Sequence, residues 1–143
     1  MRGTIPEDQG AIFSLPVANP GAGNPLYIIA TDSKVWRLHS IKFIFTSGAT
    51  VANRQIYLEW NNGINVGARL WSTFVQTAGM AVQYNLVSWL STIQYTTAGE
   101  YMMAFSGGAL IDGAEYLMVS ALLFPAGDTF TGCIVTGERW LAD

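Results

Sequence analysis

Charge is what this chain has least of. Only 12% of its 143 residues are Asp, Glu, Lys or Arg, against about 25% in an ordinary soluble domain. Cysteine occurs once, as Cys133, and histidine once, as His39. Each scarcity excludes a chemistry. A lone cysteine forms no intrachain disulfide; Cys133, in the apolar run Gly132-Cys133-Ile134-Val135, reads as a small buried hydrophobe. One His and one Cys cannot supply the three or four ligands of a zinc site. A Ser-His-Asp or Cys-His relay would have to use His39, which stands mid-strand, whereas catalytic residues favour loops. Asp112 and Asp128 lie beside Gly113 and Gly127 as turn formers, and no dense Asp-x-Asp cluster offers calcium its six or more oxygens. Gly21, Gly23, Gly107 and Gly108 match neither phosphate-loop pattern. The expected catalytic residues, cofactor and metal are therefore none.

The few charges are also scattered. Arg2, Lys34, Arg37, Lys42, Arg54, Arg69 and Arg139 form no patch, and the net charge is −3. Direct nucleic-acid binding is not expected. Met1–Asp8 lacks the apolar run of a signal peptide. From Leu70 to Gly99 there is no charge at all. That stretch is interrupted throughout by Ser, Thr, Gln and Asn, so it is not the run of about 20 apolar residues that spans a membrane. Burial against another subunit accounts for it better, because interface cores are depleted in charge and enriched in aromatics. Trp71, Phe74, Trp89 and Tyr95 become candidate contact residues on that ground.

What the chain does have is apolar residues (50%), aromatics (13%) and 15 glycines. That mix excludes disorder and a coiled coil, and the length suits one domain. Residues 1–25 read as an extended arm broken by Pro6, Pro16, Pro20 and Pro25. Within it only Ala11–Leu15 could pair with a sheet. Ile12, Phe13 and Leu15 are contact candidates, since such an arm becomes ordered on a neighbour. Residues 26–143 then form a single domain of period 2. Strands are expected over Leu26–Thr31, Val35–Thr46, Gln55–Trp60, Leu70–Thr77, Leu86–Tyr95, Tyr116–Phe124 and Phe130–Leu141. In the second, Ile41, Phe43 and Phe45 share one face, with Leu38 and Ile44 on the other. In the third, Ile56, Leu58 and Trp60 point inward and Gln55, Tyr57 and Glu59 outward. Tyr116–Phe124 is apolar on both faces, as a central core strand is. Asn61-Asn62-Gly63 and Pro125-Ala126-Gly127-Asp128 mark turns. About eight strands at roughly ten-residue spacing predict an all-β fold, an antiparallel β-sandwich of jelly-roll type.

Two other readings come from aromatic and acidic residues. Glu59 and Glu138 each lie near a tryptophan, and a glycosidase needs two carboxylates flanking its bond. The bland alternative makes both outward charges on alternating strands. The five tryptophans (Trp36, Trp60, Trp71, Trp89, Trp140) would form a sugar platform only if two or three stood exposed in a groove; otherwise they are core or subunit contacts.

Three segments resemble a known family. Trp36–Thr46, followed by Ser47-Gly48-Ala49-Thr50-Val51-Ala52-Asn53-Arg54-Gln55-Ile56-Tyr57-Leu58-Glu59, looks like small virion proteins of tailed bacteriophages. So do Leu123–Phe130 and Val135–Trp140. The resemblance implies a jelly-roll structural protein of the particle. It further implies a decoration (cement) role on the outer surface of the head, a homo-oligomer (a trimer), and the major capsid protein as partner. A tail or baseplate component, or a carbohydrate-binding adhesin, is the alternative. The product would be made in the host cytoplasm, with no membrane partner. Arg54, whose planar fork suits a carboxylate or carbonyl, is a further contact candidate, with Glu138 or Asp128 as conceivable partners inside the chain.

Overall fold

A computed structural model describes residues 10–31, 34–88, 94–97, 99–105 and 110–141. Among them there is no helix, and eleven strands follow one another. They are β1 (Ala11–Pro16), β2 (Leu26–Ile29), β3 (Lys34–Thr46), β4 (Arg54–Asn61), β5 (Val66–Gln76) and β6 (Ala81–Val87). Then come β7 (Gln94–Thr97), β8 (Glu100–Ala104), β9 (Leu110–Ile111), β10 (Tyr116–Leu122) and β11 (Thr129–Leu141).

The strands form two sheets. The larger runs β1-β11-β3-β6-β8-β7, with β9 beside β3; the smaller runs β2-β10-β4-β5. The first strand thus lies beside the last, the second beside the second-last, and each pair belongs to a different sheet. The next two strands, β3 and β4, take the far sides of β11 and β10. This wrapped order is a jelly roll, so the expected β-sandwich is the observed fold. Its eight strands are β1–β6, β10 and β11. The stretch from β7 to β9 is an insertion, and it adds the one parallel pairing among the described strands, β6 with β8.

Alternation explains the core. Leu26 and Ile28 of β2, Ile56 and Leu58 of β4, and Leu117 and Val119 of β10 are buried from the small sheet. Trp36, Leu38, Ile41, Phe43 and Phe45 of β3 meet them from the large one, with Tyr84, Tyr101, Phe130 and Val135. Phe43 stacks on Tyr84 at 5.2 Å, and Phe45 lies 4.7 Å from Phe130. Each fully buried Leu or Phe contributes about 1.5–3 kcal/mol. Cys133 is buried as expected, and burial pushes its thiol up from 9.0 to about 12. That makes it inert at neutral pH.

Two bulges reset the alternation between β3 and β11. Thr136 faces Ser40 while Gly137 faces Leu38, so His39 is an extra residue in β3. The bulge brings Trp36 and Leu38 to the same side as Ile41, which corrects the expectation that Leu38 faces away. Thr131 faces Ile44 while Ile134 faces Lys42, so β11 also holds an extra residue. Gly132 sits there at φ +61°, a conformation that glycine tolerates best. The strand expected over Leu86–Tyr95 ends at Val87, and β7 begins separately at Gln94.

Part of the proline-rich arm belongs to the sandwich. β1 pairs with β11 along its whole length, from Ala11↔Arg139 to Pro16↔Ile134. Beyond it, Val17 N–H bonds Cys133 O, Gly132 N–H bonds Asn19 Oδ1, and Gly23 N–H bonds Asp128 O. The expected neighbour for this segment is its own chain's last strand.

Candidate functional site

The two outer faces of the sandwich differ in kind. On the small sheet, cross-strand register places outward side chains in rows. Tyr27, Met118, Glu59 and Arg69 form one row. Ser120, Tyr57 and Trp71 form the next, then Leu122, Gln55 and Val75. Tyr27, Ile29, Trp71, Val75 and Leu122 are between 37% and 50% exposed. Rings tile the face: Tyr27 meets Tyr116 at 5.6 Å and Tyr57 meets Trp71 at 4.6 Å.

The strands of this sheet carry only three charged residues, Arg54, Glu59 and Arg69. Arg54 points inward. Glu59 and Arg69 face each other across the strands, and Arg69 Nε donates to Glu59 Oε1 at 2.7 Å. The Arg69 guanidinium also lies 5.3 Å from the Tyr57 ring. The hydrogen bond that Arg69 donates to Glu59 holds the Arg69 proton more tightly than usual. Glu59 is therefore outward as expected, yet only 4% exposed. The two charges satisfy one another, and the face as a whole is neutral and apolar.

The large sheet is the opposite. Arg37, His39, Ser40, Lys42, Thr136 and Glu138 stand on its outer face. Glu138 lies 3.7 Å from Arg37 and 3.7 Å from His39, and the Ser40 and Thr136 hydroxyls share a hydrogen bond. This face carries more charge than that of the small sheet, and Ile12, Leu110 and Ile134 stand on it as well, 73%, 44% and 40% exposed.

A second built feature lies at one end of the sandwich. Arg54 opens β4 in phase with Ile56 and Leu58, so alternation turns it inward, where it is fully buried. Its Nε and Nη2 donate to Asp128 Oδ2 and Oδ1 at 2.7 and 3.0 Å. Nη1 and Nη2 also donate to the Ala52 and Thr50 carbonyls at 2.7 and 2.8 Å. Asp128 Oδ1 accepts from Gly48 N–H as well. The loop from Ser47 to Asn53 is therefore fastened from beneath, and Val51 at its tip is 93% exposed. Beside it, Gln76 Nε2 donates to the Phe45 and Met80 carbonyls, and Tyr84 O–H donates to Gln76 Oε1. Burial raises the Tyr84 phenol above its ordinary range.

The candidate contact residues are dispersed. Trp71 lies on the apolar face, and Ile12 is exposed at 73%. Leu15 and Phe74 are partly buried against the core. Phe13 is buried at 5% and sits 4.7 Å from Trp36, so it is a core residue of its own chain rather than a surface contact. Arg54 is likewise corrected: its partner is Asp128, the internal option. Tyr95 belongs to β7, opposite Met102. Trp89 lies outside the described residues. The acid pair is not assembled, because Glu59 and Glu138 stand on opposite outer faces, across a core about 10 Å thick. Among the described residues no group of three His, Cys, Asp or Glu side chains could hold a metal.

Sequence reasoning missed Tyr27, Ile29, Tyr57, Val75, Met118 and Leu122 as a shared surface. The signal was present in Tyr116–Leu122, apolar on both faces. The core covers one of those faces; the other is the face described here. No family model matches the chain, and a search of curated proteins finds none that matches it.

Proposed function

We propose that this chain is a structural subunit of a tailed-phage particle, a decoration protein that binds the outside of the assembled head as a homotrimer. The observation that carries the reading is the neutral aromatic outer face of the small sheet. A large exposed apolar patch rimmed by polar residues marks a contact site. The more charged outer face of the large sheet suits the side turned to solvent.

The resemblance to virion proteins supports the same reading. Two of its segments supply the two halves of the Arg54–Asp128 fastening, so the likeness falls on residues that shape one end of the roll. Such a protein acts by mass action: it binds the assembled shell better than the free subunit and so stabilises the shell. Several linked copies gain effective concentration over one. The major capsid protein is the partner in this proposal.

Sedimentation equilibrium of the purified chain, followed by co-sedimentation with shells lacking it, tests the proposal. The expected results are a trimer at micromolar concentration and saturable attachment. Trp71→Glu and Val75→Lys replace partly exposed side chains of the outer face; both are expected to keep the wild-type circular-dichroism spectrum and to lose attachment. A wild-type monomer that ignores shells, or variants that attach as well as wild type, would overturn it.

A further inference from the structure

A separate feature lies at the opposite end of β4. There a cleft of about 200 Å³ opens between the sheets, lined by Trp60, Asn61, Asn62 and Gly67 on one side and Ile111, Glu115 and Tyr116 on the other. Trp60 is the last inward residue of β4 and packs partly on the core, so it forms a wall rather than a loose surface group. The turn after β4 is held close to the turn before β10. Gly63 has φ +90°, and a Cβ there would lie 2.9 Å from the Ala114 carbonyl oxygen.

The amides are oriented by that turn. Asn61 Oδ1 accepts from Gly63 N–H at 2.8 Å. Asn62 Oδ1 accepts from Ile64 and Asn65 N–H at 3.0 and 2.7 Å. Three backbone donors fix which end of each amide is oxygen. Both Nδ2 groups are left as donors, and neither has a partner among the described residues. Glu115 adds an acceptor, and no cation lines the cleft.

We propose that this cleft binds one ring of a neutral saccharide. The Trp60 indole offers an apolar surface to a sugar's C–H face, with Tyr116 at the rim beside the outer face. The two amide donors and the carboxylate match hydroxyls, which both accept and donate. An anion would meet Glu115 with no compensating cation. A quaternary ammonium would suit the rings and the carboxylate, but it has no acceptor for the two amides. Drug-sized ligands occupy pockets from about 300 Å³ upward, so a single ring is the fitting size.

Saturation-transfer NMR with the methyl glycosides of glucose, galactose and mannose, and with N-acetylglucosamine, tests this; choline and inorganic phosphate serve as comparisons. At least one sugar is expected to bind in the millimolar range. Asn62→Asp keeps the Oδ1 that fastens the turn and removes the Nδ2 donor; it is expected to weaken binding about tenfold, the equivalent of about 1.4 kcal/mol. Gly67→Val fills the cleft at a site where a Cβ would meet only the Trp60 carbonyl, at 3.6 Å, and is expected to abolish binding. Trp71→Ala, on the outer face, is expected to leave binding unchanged. Transfer to none of the sugars, transfer that survives both cleft variants, or binding of choline instead would overturn the proposal. None of these outcomes bears on attachment to shells, which Trp71→Glu reads separately.

Discussion

Arg54 and Asp128 form a buried ion pair whose value depends on what is removed. Both side chains are fully buried, and the carboxylate takes three donors: Arg54 Nε, Arg54 Nη2 and Gly48 N–H. Deleting one partner leaves the other charged, unpaired and away from water, which costs about 3–5 kcal/mol. Asp128→Asn and Arg54→Met are each expected to destabilise the fold by that amount in urea titrations. The double variant is expected to cost clearly less than the two single losses combined, because neither charge is then stranded. Strict additivity would show that the two groups act independently. Arg54→Lys is expected to behave as a deletion, since an ammonium cannot reach two carbonyls and two carboxylate oxygens at once. The sequence made Arg54 and its fork visible. It also contained the direction, because Arg54 shares the phase of Ile56 and Leu58, but a charged residue at a strand start reads as outward until a buried partner is known.

Elements in this fold are defined by where their alternation is broken. In β3 the extra residue His39 lets Leu38 and Ile41, three apart, both face the core. That bulge is possible because Gly137 lies opposite. A Cβ on Gly137 would sit 2.2 Å from the Arg37 carbonyl oxygen and 3.1 Å from Leu38 Cα. Gly137→Ala must therefore move backbone, and it is expected to destabilise by more than about 2 kcal/mol or to prevent folding. Gly132→Ala makes the contrast: its site is open, with nothing within 4 Å and φ +61°. Only backbone conformation opposes a methyl there, at about 1–2 kcal/mol. Thermal unfolding of the two variants ranks them, and equal losses would contradict the bulge geometry. Most jelly-roll strands were legible from period 2 and from turn residues such as Asn61-Asn62-Gly63. Bulges were not, because an extra residue leaves composition unchanged and shows only against a partner strand. β1 was half legible: its pairing capacity could be read from Ala11–Leu15, but its prolines and glycines masked the fact that its partner is β11.

At the scale of the whole molecule, the sandwich has a wet side and a dry side, and the division follows charge. Arg37, Lys42, Glu100 and Glu138 belong to strands of the large sheet, whereas the small sheet's outward charges are reduced to the Glu59–Arg69 pair. The scarcity of charge seen in the sequence was thus a real signal, but it was assigned to the stretch from Leu70 to Gly99. Among the described residues of that stretch, Trp71 and Val75 lie on the dry face; the rest of the face comes from β2, β4 and β10, far away in sequence. Long-range pairing assembles such a surface, so no window of the chain displays it. The division fixes how association should respond to ions. Contacts between exposed charges weaken as salt rises, because the screening length falls from about 10 Å at 0.1 M to about 3 Å at 1 M. Apolar contacts do not, and excluded salts such as sulfate strengthen them. In the proposed complex, attachment to shells through the small sheet is therefore expected to change less than about threefold between those two sodium chloride concentrations, and to tighten in sodium sulfate. Co-sedimentation with shells across the series measures it. A fall of tenfold or more in sodium chloride would move the contact to the large sheet, where Arg37, Lys42 and Glu138 would carry it.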